Sequence, residues 1–280
     1  MNLQQAAATI SRNPEWYSVE GIVFDRHAGR ETGGHPLAGA AWLSVLNPSD
    51  TAARATLTVY HEHREPTEHP FAVPSGQPQR LALHELPAVG PRNQQFALRV
   101  TADLPVFPQH TWAHYRPLRP IPEDMESVAL YAGPLRALHR RWIFPDLYQG
   151  LDDDRVWYEK EVLSLLNPGD AEVDVEITFY DGVWLGDANY RSAPYERTLH
   201  LSVPARRVLS VRMYDHVEVP RHGSGLVRPG NAHRFNMQRA LRLDCSGPIV
   251  AQKTRRCQLQ FDDTIVGEWT SFGIAAGEEL

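Results

Sequence analysis

Only two cysteines, Cys245 and Cys257, occur in 280 residues. So few thiols leave no disulfide framework and no cysteine-rich zinc site, and they point to a reducing cytoplasm. No stretch approaches the roughly 18 apolar residues of a membrane span. Met1–Ile10 lacks the basic start and apolar run of a signal peptide. Charge of one sign is missing too: 28 Lys and Arg stand against 34 Asp and Glu, net −6, with no basic block to track a nucleic-acid backbone. Neither nucleic acid nor membrane insertion is therefore expected. Local catalytic signatures are absent: no Gly-x-Ser-x-Gly, no phosphate loop, no dinucleotide fingerprint, no His-Glu-x-x-His. A constellation assembled from distant strands stays open.

What the chain does have is a phrase used twice. Leu43–Asp50 reads LSVLNPSD and Leu163–Asp170 reads LSLLNPGD, 120 positions apart. Tyr60 answers Tyr180 at that spacing, and Phe24 is paired with Phe144. Val73-Pro74 then answers Val203-Pro204, and Gln109 and Thr111 answer Gln252 and Thr254, with insertions between the blocks. Insertions that fall between ordered blocks lengthen surface loops. An internal repeat of this length is a domain design used twice, read here as domains 1–138 and 139–280.

The local pattern is β. Ala53–Tyr60 and Val173–Tyr180 alternate apolar with polar, the period of a strand buried on one face. Asn-Pro-Ser-Asp and Asn-Pro-Gly-Asp precede them as turns, which places a β-hairpin at the head of each copy. Further strands are predicted at Leu81–Leu86, Phe96–Thr101, Val208–Tyr214, Ala240–Leu243 and Pro248–Gln252, and short helices at Ala6–Arg12 and Gly133–Arg141. Many short strands with turn signals and 22 prolines between them give an all-β chain of two tandem β-sandwich domains related by internal duplication.

Four phrases of the second copy carry a resemblance: LNPGDAEVDVEITFY (Leu166–Tyr180), LSVPARRVLSVRMYD (Leu201–Asp215), GPIVAQKTR (Gly247–Arg255) and the closing TSFGIAA. Together they resemble the sensory rhodopsin transducer family across nearly all of residues 141–276. The first copy matches more weakly through LNPSD, TVYHEHREP, LPVFPQHT and SVALYAG. Trp112 stands where the family has arginine, and Ser75-Gly76 where the second copy has Ala205-Arg206. The resemblance implies a β-sandwich like those of carbohydrate-binding folds, a homotetrameric assembly, and a role as soluble signalling partner of a membrane photoreceptor or in small-molecule recognition. Four domains from two chains would make a homodimer with pseudo-tetrameric symmetry.

Few residues carry chemistry. Gln109-His110-Thr111 and Gln252-Lys253-Thr254-Arg255 are the shared candidates. On a strand, Gln and Thr face one way and His or Lys the other. Their amide and hydroxyl groups suit sugar hydroxyls or a carboxylate, with Arg255 as a clamp; the alternative is that they satisfy buried structure. Arg206-Arg207 suit an anionic ligand, or an exposed turn. Asn47 and Asn167 are read as shaping their turns. His61, His63 and His69, with Glu62 and Glu68 between them, are the metal candidates, since two imidazoles and a carboxylate suit an open zinc site; the alternative is a solvated loop. No cofactor is expected unless a divalent metal sits there. The resulting reading is a non-catalytic binding and signalling protein whose partner is a small polar ligand or a signalling protein. The alternative is a metal-dependent enzyme centred on the histidines.

Overall fold

The computed structural model describes residues 15–23, 38–115, 130–132, 138–151, 157–185, 190–191, 195–216, 219–220, 226–227, 235–259 and 265–275. The predicted helix at Ala6–Arg12 lies outside them. The chain divides into two compact units, the main boundary falling between Leu138 and His139.

The first unit holds β1 (Glu15–Ile22), β2 (Ala38–Leu46), β3 (Ala53–His61), β4 (Thr67–Val73), β5 (Pro78–Ala82), β6 (Gln95–Ala102), β7 (Phe107–Tyr115) and β8 (Leu130–Ala132). They form two four-stranded sheets, β1-β6-β3-β4 and β5-β2-β7-β8. Alternation decides which side chains enter the core: Ala41, Leu43 and Val45 from one sheet meet Leu57, Val59, Leu98 and Val100 from the other. The result is a β-sandwich.

The second unit holds β9 (His139–Leu151), β10 (Trp157–Asn167), β11 (Val173–Leu185), β12 (Tyr190–Arg191), β13 (Tyr195–Val203), β14 (Arg207–Arg212), β15 (Val219–Pro220), β16 (Leu226–Val227), β17 (Phe235–Leu259), β18 (Ile265–Phe272) and β19 (Ile274–Ala275). Strand β17 serves both sheets. Its first half pairs with β9 and β11, its second half with β10 and β18. The orders β9-β17-β11-β13 and β14-β10-β17-β18 therefore repeat those of the first unit.

Register corrects one sequence pairing. Trp16 lies opposite Val100 and Trp142 opposite Leu243, and each strand has its bulge two residues later, after Ser18 and after Phe144. Trp142 therefore occupies the place of Trp16, and Phe144 that of Ser18 rather than of Phe24, which lies outside the described residues. The connection from the first to the second strand is shorter in the second unit, so a gapless alignment back to Phe24 slips. Two element readings change as well. The runs at Leu81–Leu86 and Val208–Tyr214 leave the strand early and turn into 3-10 helices at Leu83–Glu85 and Met213–His216. The predicted helix at Gly133–Arg141 is strand from His139 onward.

The repeated asparagines hold their turns through side chains buried to 0% and 1% exposure. Asn47 Nδ2 donates to the carbonyls of Thr51 (2.7 Å) and Val73 (3.1 Å), and its Oδ1 accepts from Ser49 N–H (3.0 Å). Asn167 Nδ2 donates to Ala171 (2.8 Å), Val203 (3.0 Å) and Pro204 (3.2 Å), and its Oδ1 accepts from Gly169 N–H (3.0 Å). Each amide thus ties the hairpin turn to the end of a strand some thirty residues on. Asn167→Ala is expected to cost about 2–4 kcal/mol in urea unfolding, because several backbone carbonyls lose their donor in a buried place.

The next turn differs between the units. Gly76 (φ 65°) and Arg206 (φ 56°) both sit in the left-handed region. A Cβ added at Gly76 meets nothing within 4 Å, so the penalty there lies in the backbone alone. Gly76→Ala is expected to lower stability by about 1 kcal/mol. Arg206→Gly is expected to raise it by up to about 1 kcal/mol, read by thermal melting.

Candidate functional site

The outward face of sheet β5-β2-β7-β8 in the first unit gathers polar groups. Directly opposite residues share a face, and the register sets Ser44 against Gln109 and against Arg80, and Trp42 against Thr111. Gln109 and Arg80 are exposed, while Ser44, Trp42 and Thr111 are half-buried. The Arg80 guanidinium lies 4.7 Å from the Trp42 ring centroid. His84 packs edge-on against the same ring at 5.4 Å, held through Nδ1 by the backbone of Ala41. One cation, one indole, one amide and two hydroxyls thus stand on one sheet surface. Gln109 and Thr111 were legible from sequence. Trp42, Ser44 and Arg80 were not, because only the strand pairing brings them alongside.

The same positions of the second unit are closed. Ser164 lies opposite Gln252 and Val162 opposite Thr254, yet Ser164, Gln252 and Thr254 are all at 0% exposure. The polar residues read as a ligand face are here part of the interior. Arg255 clamps a carboxylate as its chemistry suggests, but the carboxylate is internal. Its Nε and Nη2 each lie 3.1 Å from Glu161 Oε1, on a side chain with no exposure. Lys253 Nζ stands 3.6 Å from the same oxygen and donates to the Asp146 carbonyl. Burial lowers the Lys253 pKa, and the Glu161 charge opposes that shift. Glu161 was missed by the sequence reading. Its signal was a charge in the same alternation phase as Leu163 and Leu165.

His110 faces inward, 2% exposed, with Nδ1 hydrogen-bonded to Ser18 Oγ at 2.9 Å. Burial pushes its pKa down to about 3. It therefore does not share the face of Gln109 and Thr111. Arg206 and Arg207 sit in and just after the turn between β13 and β14, and Arg207 Nη1 donates to the Arg206 carbonyl at 3.1 Å.

The three metal candidates take separate roles. His61 is 2% exposed; its Nδ1 receives Arg64 Nη2 at 3.2 Å, and its Nε2 meets Thr67 Oγ1 at 3.3 Å. Thr67 in turn donates to Ala88 O (2.5 Å), and Arg64 to Val89 O (2.9 Å). Burial, then the Arg64 charge, lowers the His61 pKa to about 4. His63 is exposed beside Glu62, and His69 stacks on Phe71. Among the described residues no three His, Cys, Asp or Glu side chains gather as a metal ligand set.

A family model described as Anabaena sensory rhodopsin transducer matches residues 13–117. The match lies within the first unit. It falls on the first copy, whereas the sequence reading expected the stronger resemblance in the second. Among solved structures, the Anabaena sensory rhodopsin transducer is 25% identical, with 36% of this chain and 89% of that one covered and a TM-score of 0.30. The crystal structure of Thermotoga maritima 1070 is 15% identical, with 44% and 93% covered and a TM-score of 0.35. No curated protein matches the chain. Among the described residues no helix is long and apolar enough to cross a membrane.

Proposed function

We propose that this chain, whose first unit is similar to the transducer family, is a non-catalytic binding and signalling protein, and that it recognises a small sugar acid or organic acid on the outward face of sheet β5-β2-β7-β8. The observation that carries this is the open set of Arg80, Trp42, Ser44, Gln109 and Thr111. A guanidinium pairs with a carboxylate, amide and hydroxyl groups exchange hydrogen bonds with ligand hydroxyls, and an indole covers the apolar edge of a sugar ring. In a family named for a transducer, the bound state is passed to a protein partner. The chain acts as a homodimer of four units, for which light scattering returns twice the chain mass; a monomer overturns that part.

The ligand reading is tested by thermal shift and titration with galacturonate and galactose. Galacturonate raises the melting temperature more than galactose. Arg80→Ala removes that preference, and Gln109→Ala weakens binding about fivefold, as one neutral hydrogen bond is worth about 1 kcal/mol. No response to sugar acids or organic acids, or one that Arg80→Ala leaves unchanged, sinks it.

A further inference from the structure

Strand β13 is the outer strand of its sheet in the second unit. It pairs with β11 from Tyr195 to Val203, and among the described residues no strand pairs with its other side. Glu196, Thr198, His200 and Ser202 are exposed, alternating with half-buried Arg197, Leu199 and Leu201. A strand of this length with one side unpaired offers a row of main-chain donors and acceptors to another strand.

The first unit blocks the same edge. Ala53 lies opposite Val73 and Val173 opposite Val203, so β4 and β13 keep one register. Pro70, opposite Thr56, then stands at the place of His200, opposite Glu176. Proline has no N–H, and within a sheet it sits where that N–H would point away from the neighbouring strand. Pro70 therefore marks the phase of β4 whose main chain bonds outward, and it removes a donor from the middle of that row. In β13 the same phase is Glu196, Thr198, His200 and Ser202, and each of these keeps its N–H.

The side chains decide which strand fits. In an antiparallel pair, opposed threonines and opposed acid and base side chains are favourable, and opposed like charges are not. With a second β13 centred on Thr198, Thr198 meets its own copy and each Glu196 meets the partner's His200. Arg197 then stands opposite Leu199. A centre at Glu196 or at Arg197 would set a charge on its own copy, and a centre at Leu199 would lose both acid–base pairs. The Arg197 guanidinium lies 4.1 Å from the Phe179 ring centroid of its own unit, so it does not project from the edge.

We propose that β13 is an interface strand, which pairs antiparallel with β13 of a second copy about a twofold axis at Thr198 and makes one continuous sheet of two. The inference rests on the two-chain assembly proposed above and names its seam. Thr198 exchanges two main-chain hydrogen bonds with its copy, and Glu196 and His200 exchange two more on each side, about six in all.

Light scattering and a cysteine cross-link on the full chain test it. His200→Pro, which copies the block of the first unit, is expected to halve the mass of the assembly, and His200→Ala, which keeps the N–H, to leave it unchanged. Thermal melting reports whether each variant is folded. Thr198→Lys, which sets like charges across the axis, replaces the proline variant if that one does not fold. In a chain carrying Cys245→Ser and Cys257→Ser, Thr198→Cys is expected to form a disulfide-linked dimer on mild oxidation. His200→Cys, off the axis, is not. An assembly that keeps its mass in the edge variant, or that fails to link at Thr198, places the seam elsewhere and overturns this inference while the two-chain assembly stands. A parent of single-chain mass overturns both. A Thr198→Cys link to a different protein gives the edge to a foreign strand and overturns self-pairing.

Discussion

Acidification from pH 7 to pH 4 is expected to cost the first unit about 3 kcal/mol through His110 alone. His110 is fully buried against Ser18, Phe96 and Trp112. Burial is the sole cause of its depressed pKa of about 3. Unfolded, the ring titrates near 6.5. Between those values the unfolded chain binds the extra proton and the folded chain does not. The stability is therefore complete above pH 6.5, is lost progressively as pH falls, and stops falling near pH 3. A tenfold difference in proton affinity between the folded and unfolded chain is worth about 1.4 kcal/mol, so the loss at pH 3 is roughly 4–5 kcal/mol. His61 titrates in the same direction, from its ordinary value down to about 4, because of burial and the neighbouring Arg64. Urea unfolding at pH 7 and pH 4, followed by tryptophan fluorescence, measures the loss. In His110→Gln, which keeps a polar partner for Ser18 but does not titrate, the loss should shrink by at least 2 kcal/mol. An unchanged pH slope in that variant would show that His110 is solvated.

Much of this fold is legible in the residues because the chain states it twice. The asparagine of each Asn-Pro turn, the alternation in Ala53–Tyr60 and Val173–Tyr180, and the spacing of Gln109 and Gln252 all reappear as equivalent strands and equivalent hydrogen bonds. Other features escape a one-dimensional reading. Phe144 was aligned to Phe24 because loop length hides register, and only the matching bulges after Ser18 and Phe144 reset it. Gln252 and Thr254 looked equivalent to Gln109 and Thr111, and by position they are. Exposure separates them, since burial depends on what packs over a face and not on the strand that presents it. Among the described residues the three histidines do not gather as one ligand set, and His61 is engaged locally instead. Arg64, three residues on, donates to His61 Nδ1, and Nε2 meets Thr67 Oγ1.

Glu161→Ala is expected to destabilise the second unit by about 3–5 kcal/mol, because it takes the buried carboxylate from two cations and leaves Arg255 the exposed Asp146 at 3.6 Å. Glu161 and Arg255 are opposite one another in β10 and β17, and Lys253 lies opposite Leu163, all in the inward phase of their strands. The single oxygen Oε1 receives Arg255 at 3.1 Å and has Lys253 at 3.6 Å. The first unit solves the same positions without charge: Ala41 replaces Glu161, Trp112 replaces Arg255 and His110 replaces Lys253. That comparison supplies the control. The triple variant Glu161→Ala, Lys253→Met, Arg255→Trp removes these three charges at once and refills the space. It should recover at least half of the single variant's loss, since replacing a whole buried ion cluster by apolar groups is close to neutral. The sign of the pH dependence is fixed as well. Lys253 already has a lowered pKa from burial, held back by Glu161. Without that carboxylate the folded state sheds the ammonium proton more readily than the unfolded chain. The deficit of Glu161→Ala should therefore shrink as pH rises from 7 toward 10. A deficit that is flat across that range, with no recovery in the triple variant, would assign the loss to packing around Glu161 instead of its charge.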